Sequence, residues 1–208
     1  MKEKWPPPWL SLPETKMSQT NILDIFRESN ALLEGHFKLT SGKHSDVYYE
    51  KFNILRQPRM CEKVCIEMAK SFEKDNVELV VGPTTGGIII AYEVAKHLGV
   101  DSIYAEAAED GKGRVFKRGF FIEEGTRVLI VDDVLTTGTS IFEVIELVNK
   151  YKANIVGIGE FLDRSGGKVK FDYPFKPLAT VSADAWEPDD CPLCKKGVPI
   201  TQRGSRKF

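Results

Sequence analysis

A chain of 208 residues is long enough to bury a real core and too short for two comfortable domains, so one enzyme-sized domain is expected. A net charge of −1 supplies no global basic field for nucleic acid or anionic membrane, and no apolar run reaches membrane-spanning length. Four cysteines are too few for a disulfide scaffold at this length, which points to a reducing, cytoplasmic setting.

Residues 1–17 carry Trp5-Pro6-Pro7-Pro8-Trp9 and Pro13 and show no periodicity. Prolines favour an extended, unpaired chain, so this stretch reads as an arm outside the folded domain, and it lacks the apolar core of a signal peptide. Two readings stay open: a true start at Met17, with the arm not native, or an aromatic-proline arm that packs on the body or on a partner. The domain itself is expected over 18–208. Ile22, Ile25, Phe26, Leu32 and Leu33 predict an amphipathic helix that Gly35 can stop. Segments 37–39 and 47–52 predict strands about the turn Ser41-Gly42-Lys43-His44-Ser45. Pro58 suits a helix start, with Met60, Val64, Ile66, Met68 and Phe72 as apolar positions. A buried strand at 79–81 runs into Gly82-Pro83-Thr84-Thr85-Gly86-Gly87, followed by a helix over 88–98 and a strand over 102–105. His97, late in that helix, is expected to be structural.

Residues 106–119 are polar and glycine-rich. They read either as a solvated β-hairpin or as a mobile lid whose Lys112, Arg114, Lys117 or Arg118 meets an anionic ligand group, with no obvious partner in the same subunit. Residues 128–140 read Val-Leu-Ile-Val-Asp-Asp-Val-Leu-Thr-Thr-Gly-Thr-Ser, with Ile141, Val144, Ile145 and Val148 continuing at helical spacing. That is strand, loop and helix N-terminus, where backbone N–H groups and the helix dipole favour an anion. Two acids beside such a cradle suit a ribose: the acids accept from its hydroxyls while the cradle holds its 5-phosphate. Further strands are predicted at 155–162 and 178–181. Strands alternating with helices imply an α/β fold with a central, mostly parallel sheet flanked by helices. Ligands in such sheets bind beyond the carboxyl ends of the strands, where the Gly82 loop, the Asp132 loop and Asp163-Arg164 fall.

The 128–140 string resembles the phosphoribosyl pyrophosphate (PRPP) signature of the type I phosphoribosyltransferases. The segment Gly35-His36-Phe37-Lys38-Leu39-Thr40-Ser41-Gly42-Lys43-His44-Ser45 with Tyr48-Tyr49, and the string Phe161-Leu162-Asp163-Arg164, resemble the orotate branch. So does the tail Cys191-Pro192-Leu193-Cys194-Lys195-Lys196-Gly197 with Gly204-Ser205-Arg206. The resemblance implies the type I phosphoribosyltransferase fold with a small N-terminal hood at about 18–55. It also implies transfer of the phosphoribosyl group from PRPP to orotate, giving orotidine 5′-monophosphate and pyrophosphate in UMP biosynthesis. Thr136, Thr137, Gly138, Thr139 and Ser140 would hold the 5-phosphate. Asp132 and Asp133 would hold the ribose hydroxyls and favour charge growing on the sugar. Thr84, Thr85 and Gly86 would face the pyrophosphate with the lid cations Lys112, Arg114, Lys117 and Arg118, Lys112 being the catalytic one.

Arg164, Tyr48, Tyr49 and Thr136 would form the orotate site, since a guanidinium offers a carboxylate a two-pronged donor pair. Mg²⁺ is expected to arrive with PRPP, and a homodimer is expected whose lid reaches the partner's site. Many family members carry lysine where this chain has Thr40 and Gly86, and an arginine-lysine pair near Ala107-Ala108. Lys43 and Lys51 are the candidates to supply the missing cation. Cys191-x-x-Cys194 has metal-ligand spacing but is half a structural site. Cys61 and Cys65 are the pair considered to complete it, although core packing is expected for them and no protein-held metal is assigned. A purine-type phosphoribosyltransferase would need another hood. A PRPP-sensing regulator would need a DNA-binding helix pair or basic face, which the charge balance does not favour.

Overall fold

The computed structural model describes residues 19–39, 41–181 and 185–202. The proline-rich arm, Thr40 and the terminal Gly204-Ser205-Arg206 lie outside the described residues.

Helix α1 (Gln19–Glu28) buries Ile22, Ile25 and Phe26, as their spacing predicts. It ends earlier than expected. Asn30 adopts a left-handed conformation at φ 55°, and Leu32 and Leu33 open strand β1 (Leu32–Lys38) instead of closing the helix. An apolar pair that suits a helix also suits a half-buried strand, so periodicity could not place this boundary. Strand β2 (His44–Tyr49) pairs antiparallel with β1, with Leu32 opposite Tyr49 and Lys38 opposite His44. His44 and Ser45 therefore belong to the strand rather than the turn. Phe52 falls in the short helix α2 (Lys51–Leu55), not in a strand. Helix α3 (Pro58–Phe72) starts at Pro58, whose missing N–H costs nothing in a first turn.

The main sheet follows. Strand β3 (Leu79–Pro83), helix α4 (Gly86–Leu98), strand β4 (Asp101–Ala107) and the two-residue β5 (Arg114–Val115) come first. Strand β6 (Arg127–Leu135), helix α5 (Thr139–Lys150), strand β7 (Asn154–Asp163) and strand β8 (Phe175–Thr180) complete it. The order is β5-β4-β3-β6-β7-β8, parallel throughout except for the β4–β5 hairpin. Helices α1, α3 and α4 cover one face around Phe26, Phe72, Val94 and Phe161, and α5 covers the other around Val144 and Val148. Phe72 packs on Gly157 and Gly159 of β7, where an added Cβ at Gly157 would strike its ring and one at Gly159 would press on it at 3.0 Å. Among the described residues no helix is long and apolar enough to cross a membrane.

The tail returns to the hood. After a 3₁₀ turn at Pro188–Asp190 and the short helix α6 (Pro192–Lys195), strand β9 (Thr201–Gln202) pairs parallel with Phe37 and Lys38. The hood hairpin and the tail thus share one three-stranded sheet, β2-β1-β9.

Candidate active site

Three loops converge at the carboxyl ends of β3, β6 and β7. The β6–α5 loop turns at Gly138, which sits at φ 80° and ψ 0° as the residue before α5. That conformation favours glycine, and a Cβ would also press on Phe142 at 3.0 Å and Val169 at 3.1 Å. Thr136, Thr137 and Thr139 are exposed around it, with the Thr137 and Thr139 hydroxyls 3.0 Å apart. The first turn of α5 keeps unpaired backbone N–H groups, so this loop has the makings of an anion cradle. A cavity lined by Asp132, Leu135, the 136–140 loop and Glu160 opens against it.

Strand β6 continues through both acids, so alternation sends them to opposite faces of the sheet. Asp132 is half-buried and lines the cavity, beside Glu160 of β7 in register. Asp133 is buried on the α4 side. Its Oδ1 accepts from Lys51 Nζ at 3.1 Å and from the Val134 N–H at 2.7 Å. Its Oδ2 lies where a Cβ on Gly86 would be and has no hydrogen-bond partner among the described residues. A side chain at 86 is therefore incompatible with this placement of Asp133.

Burial raises all three acids, and neighbouring charge adds to it for two of them. Burial, then the Asp133 charge, pushes Asp132 from 3.8 up to about 7. Burial also raises Asp133, against the pull of Lys51. Glu160 is raised well above the usual carboxylate range by burial and then by both aspartates. Burial works against the Lys51 charge, but Asp133, Asp132 and Glu160 together outweigh it and hold its pKa up. Lys51 is thus the hood's cation to the acids, whereas Lys43 pairs with Glu187 at 2.9 Å. Glu160 was missed by sequence reading because it lies inside an apolar strand, and only its register opposite Asp132 reveals it.

The β3–α4 loop brings Thr84, Thr85 and Gly86 to the N-terminus of α4. Gly82 and Gly87 approach so closely that a Cβ on Gly82 would strike the Gly87 carbonyl, which brings the loop back on itself. Arg114 Nη1 donates to Thr84 Oγ1 at 3.2 Å and to the Ala105 carbonyl at 3.1 Å, and its Nε pairs with Glu143 at 3.2 Å.

Residues 106–119 form a hairpin, with Glu106 opposite Val115 and Ala107 opposite Arg114. The expectation that its cations lack partners in the same subunit is corrected. Arg114 binds the β3–α4 loop, Lys117 faces Glu109 at 3.8 Å, and Arg118 faces Glu106 at 3.3 Å. Lys112 is exposed at the tip, where its backbone N–H donates to Asp110 at 3.0 Å.

On the other side, the Arg164 N–H donates to the Leu135 carbonyl at 2.8 Å, which sets Arg164 beside the start of the cradle. Asp163, buried, accepts from the N–H groups of Ser165 at 2.7 Å and Gly167 at 3.1 Å and so shapes the following loop. The Arg164 guanidinium stacks on Tyr49 of the hood, 4.8 Å from the ring centre, and its Nε is buried without a hydrogen-bond partner among the described residues. Burial lowers the Arg164 pKa, against the tyrosines, and raises that of Tyr49, against Arg164. Tyr48 packs on Phe37 with ring centres 5.6 Å apart. The structure thus brings Tyr49, Arg164 and the cradle together.

Comparison with known proteins decides the family. The phosphoribosyl transferase domain matches residues 53–194. An orotate phosphoribosyltransferase from Caldicellulosiruptor saccharolyticus is 46% identical over 191 residues, covering 92% of this chain and 99% of that protein. The chain belongs to the orotate phosphoribosyltransferase family. A Thermotoga maritima orotate phosphoribosyltransferase is likewise 46% identical, covering 89% of this chain and 98% of the relative. The crystal structure of orotate phosphoribosyltransferase from Aeropyrum pernix superposes with a TM-score of 0.64 at 26% identity, over 77% of this chain and 93% of the other. The fold is therefore the type I phosphoribosyltransferase fold, and the class is pentosyltransferase, acting in pyrimidine biosynthesis.

Proposed function

We propose that PRPP and orotate meet at the carboxyl ends of β3, β6 and β7, where N1 of orotate displaces pyrophosphate from the anomeric carbon. The observation that carries this reading is the Arg164–Tyr49 stack tied through Leu135 to the phosphate cradle. A carboxylate-bearing flat base and a 5-phosphorylated ribose need these two features at adjoining positions.

The cradle of Thr136, Thr137, Gly138, Thr139 and Ser140 holds the 5-phosphate on the N-terminus of α5. Asp132 and Asp133 accept from the ribose hydroxyls, a role supported by the partnerless Oδ2 of Asp133. The charge of the aspartates favours positive charge developing on the sugar. Thr84, Thr85 and Gly86 face the pyrophosphate, and Arg114 steadies that loop through Thr84. Lys112, Lys117 and Arg118 reach the leaving group when the hairpin closes. Arg164 binds the orotate carboxylate, Tyr49 backs the base, and Tyr48 and Thr136 border it. Asp132 lines the cavity beside the cradle and its carboxylate is a hard oxygen donor of the kind Mg²⁺ prefers, so it fits Mg²⁺ carried in on PRPP and held through water. The ion supplies neutralisation of pyrophosphate charge.

The assembly we infer is a homodimer in the cytoplasm, with the lid of one subunit reaching the other's site. Ile89 and Tyr92 exposed on one side of α4, Phe121 exposed beyond the lid and four free thiols support it. Neither nucleic acid nor membrane is a proposed partner.

Hydrogen exchange locates the two halves. PRPP with Mg²⁺ should protect amides at 84–87 and 136–141, and orotidine 5′-monophosphate should add protection at 163–167. Protection confined to other segments would defeat the assignment.

A further inference from the structure

Where the tail crosses the hood, four side chains that the site does not use come together. His36 Nε2 lies 3.0 Å from His44 Nδ1. Cys191 Sγ is 3.4 Å from His36 Nε2, and Cys194 Sγ is 3.3 Å from His44 Nδ1 and 3.8 Å from His36 Nε2. All four ligand atoms lie within 4.8 Å of one another. His36 and His44 are 2% and 4% exposed and Cys191 is fully buried. An ion bonded at about 2.0–2.3 Å to two nitrogens and two sulfurs sets its ligands roughly 3.4–3.8 Å apart in a tetrahedron. Three sulfur–nitrogen separations, 3.3–3.8 Å, are close to that, and the two nitrogens stand somewhat nearer at 3.0 Å.

Two further features prepare the cluster. His36 Nδ1 lies 2.7 Å from the Val198 carbonyl, so its proton sits on Nδ1 and Nε2 keeps a lone pair aimed at the cluster. Pro192 opens α6 and Gly197, at φ 68°, follows its end, which folds Cys191 and Cys194 onto one side of a tight turn. Cys61 and Cys65, the pair considered from sequence, instead lie 3.9 Å from each other in the core of α3.

We propose that His36 Nε2, His44 Nδ1, Cys191 Sγ and Cys194 Sγ form a structural zinc site that staples the tail to the hood. Two thiolates and two imidazoles in a tetrahedral arrangement select zinc, and Mg²⁺ has no affinity for such soft donors. Four protein ligands close the coordination shell, so the site holds structure rather than substrate. The staple has work to do. Apart from the cluster, the tail meets the hood through the two-residue β9, the bridge between Trp186 and His44, the Lys43–Glu187 ion pair and the His36–Val198 contact. His44 opens the strand that ends at Tyr48 and Tyr49, so the ion also fixes the start of the strand carrying the stacked tyrosine.

Elemental analysis of untagged protein, purified with reductant throughout, should find about one zinc per chain. Cys194→Ser and His44→Ala should lose most of it and melt at lower temperature. His44→Cys, which keeps four ligands, should retain the metal, and so should Cys61→Ala with Cys65→Ala. Wild-type protein gives a readout that does not depend on variants folding. Exchange with Co²⁺ should produce tetrahedral ligand-field bands and thiolate charge transfer, and Cys191 and Cys194 should resist alkylation until a chelator removes the ion. Metal-free reduced protein whose tail thiols alkylate freely, with no cobalt spectrum, would overturn the proposal. So would a Cys191–Cys194 disulfide in protein that takes up no metal after reduction.

Discussion

Replacing Arg164 with alanine separates the base half of the site from the PRPP half. The side chain stacks on Tyr49 and keeps a buried Nε without a hydrogen-bond partner among the described residues, an arrangement primed for a carboxylate. Its loss removes two charge-assisted hydrogen bonds at roughly 1.5 kcal/mol each, or about 3 kcal/mol in all. At 1.36 kcal/mol per decade that is roughly a 150-fold rise in the orotate KM. The proposed PRPP contacts lie on the β6–α5 and β3–α4 loops, so the PRPP KM should change by less than about threefold. Uracil has no carboxylate, so the variant should also lose most of its preference for orotate over uracil. Steady-state kinetics in each substrate measure both effects, with thermal melts as the folding control. Arg164→Lys should fall between, keeping charge but not the two-pronged geometry. Equal losses for orotate and PRPP would show that Arg164 only supports the loop, and the reasoning would fail.

The other expectations follow from the cradle, the acids and the lid. Gly138→Val forces a branched residue to φ 80° against Phe142 and Val169, so calorimetry should find PRPP binding abolished in a folded protein; unchanged affinity would sink the cradle. Asp132, pushed up to about 7, loses as pH drops through 7 the negative charge that favours the developing sugar cation, so kcat/KM for PRPP should fall there. Lys51→Met removes a positive charge that lowers both aspartates, so that acid limb should move to higher pH; a limb at unchanged pH would detach Lys51 from the acids. Mixing an Asp133→Asn subunit with a Lys112→Ala subunit should restore part of the activity if lids act across the dimer. Failure despite proven subunit exchange would mean that Lys112 is the wrong residue or that the lid serves its own chain, which the same mix with Lys117→Ala or Arg118→Ala separates.

The centre of the site was legible because its parts are contiguous. The apolar run of β6, the acids, the threonine loop and the first turn of α5 lie within 128–141, and local propensity and tertiary packing agree there. Along the main sheet the strand and helix alternation likewise read correctly from periodicity, whereas in the hood Leu32, Leu33 and Phe52 fell in the other kind of element. What escaped depends on contacts between distant segments. Lys51 meets Asp133 across 82 positions, and no local pattern joins them. Glu160 gains its meaning from register with Asp132. The histidines that accompany Cys191 and Cys194 stand on the hood, more than 140 positions earlier. The hairpin's cations looked unpartnered because their acids lie across a turn, as with Glu106 and Glu109, or on another element, as with Glu143 of α5.

The most direct test offers the protein PRPP and Mg²⁺ with orotate, uracil, adenine and hypoxanthine in separate reactions and follows pyrophosphate release. Release with orotate far above every other base, with orotidine 5′-monophosphate as the product, is the predicted result. Faster release with a purine, or none with any base from protein that binds PRPP, would contradict the account.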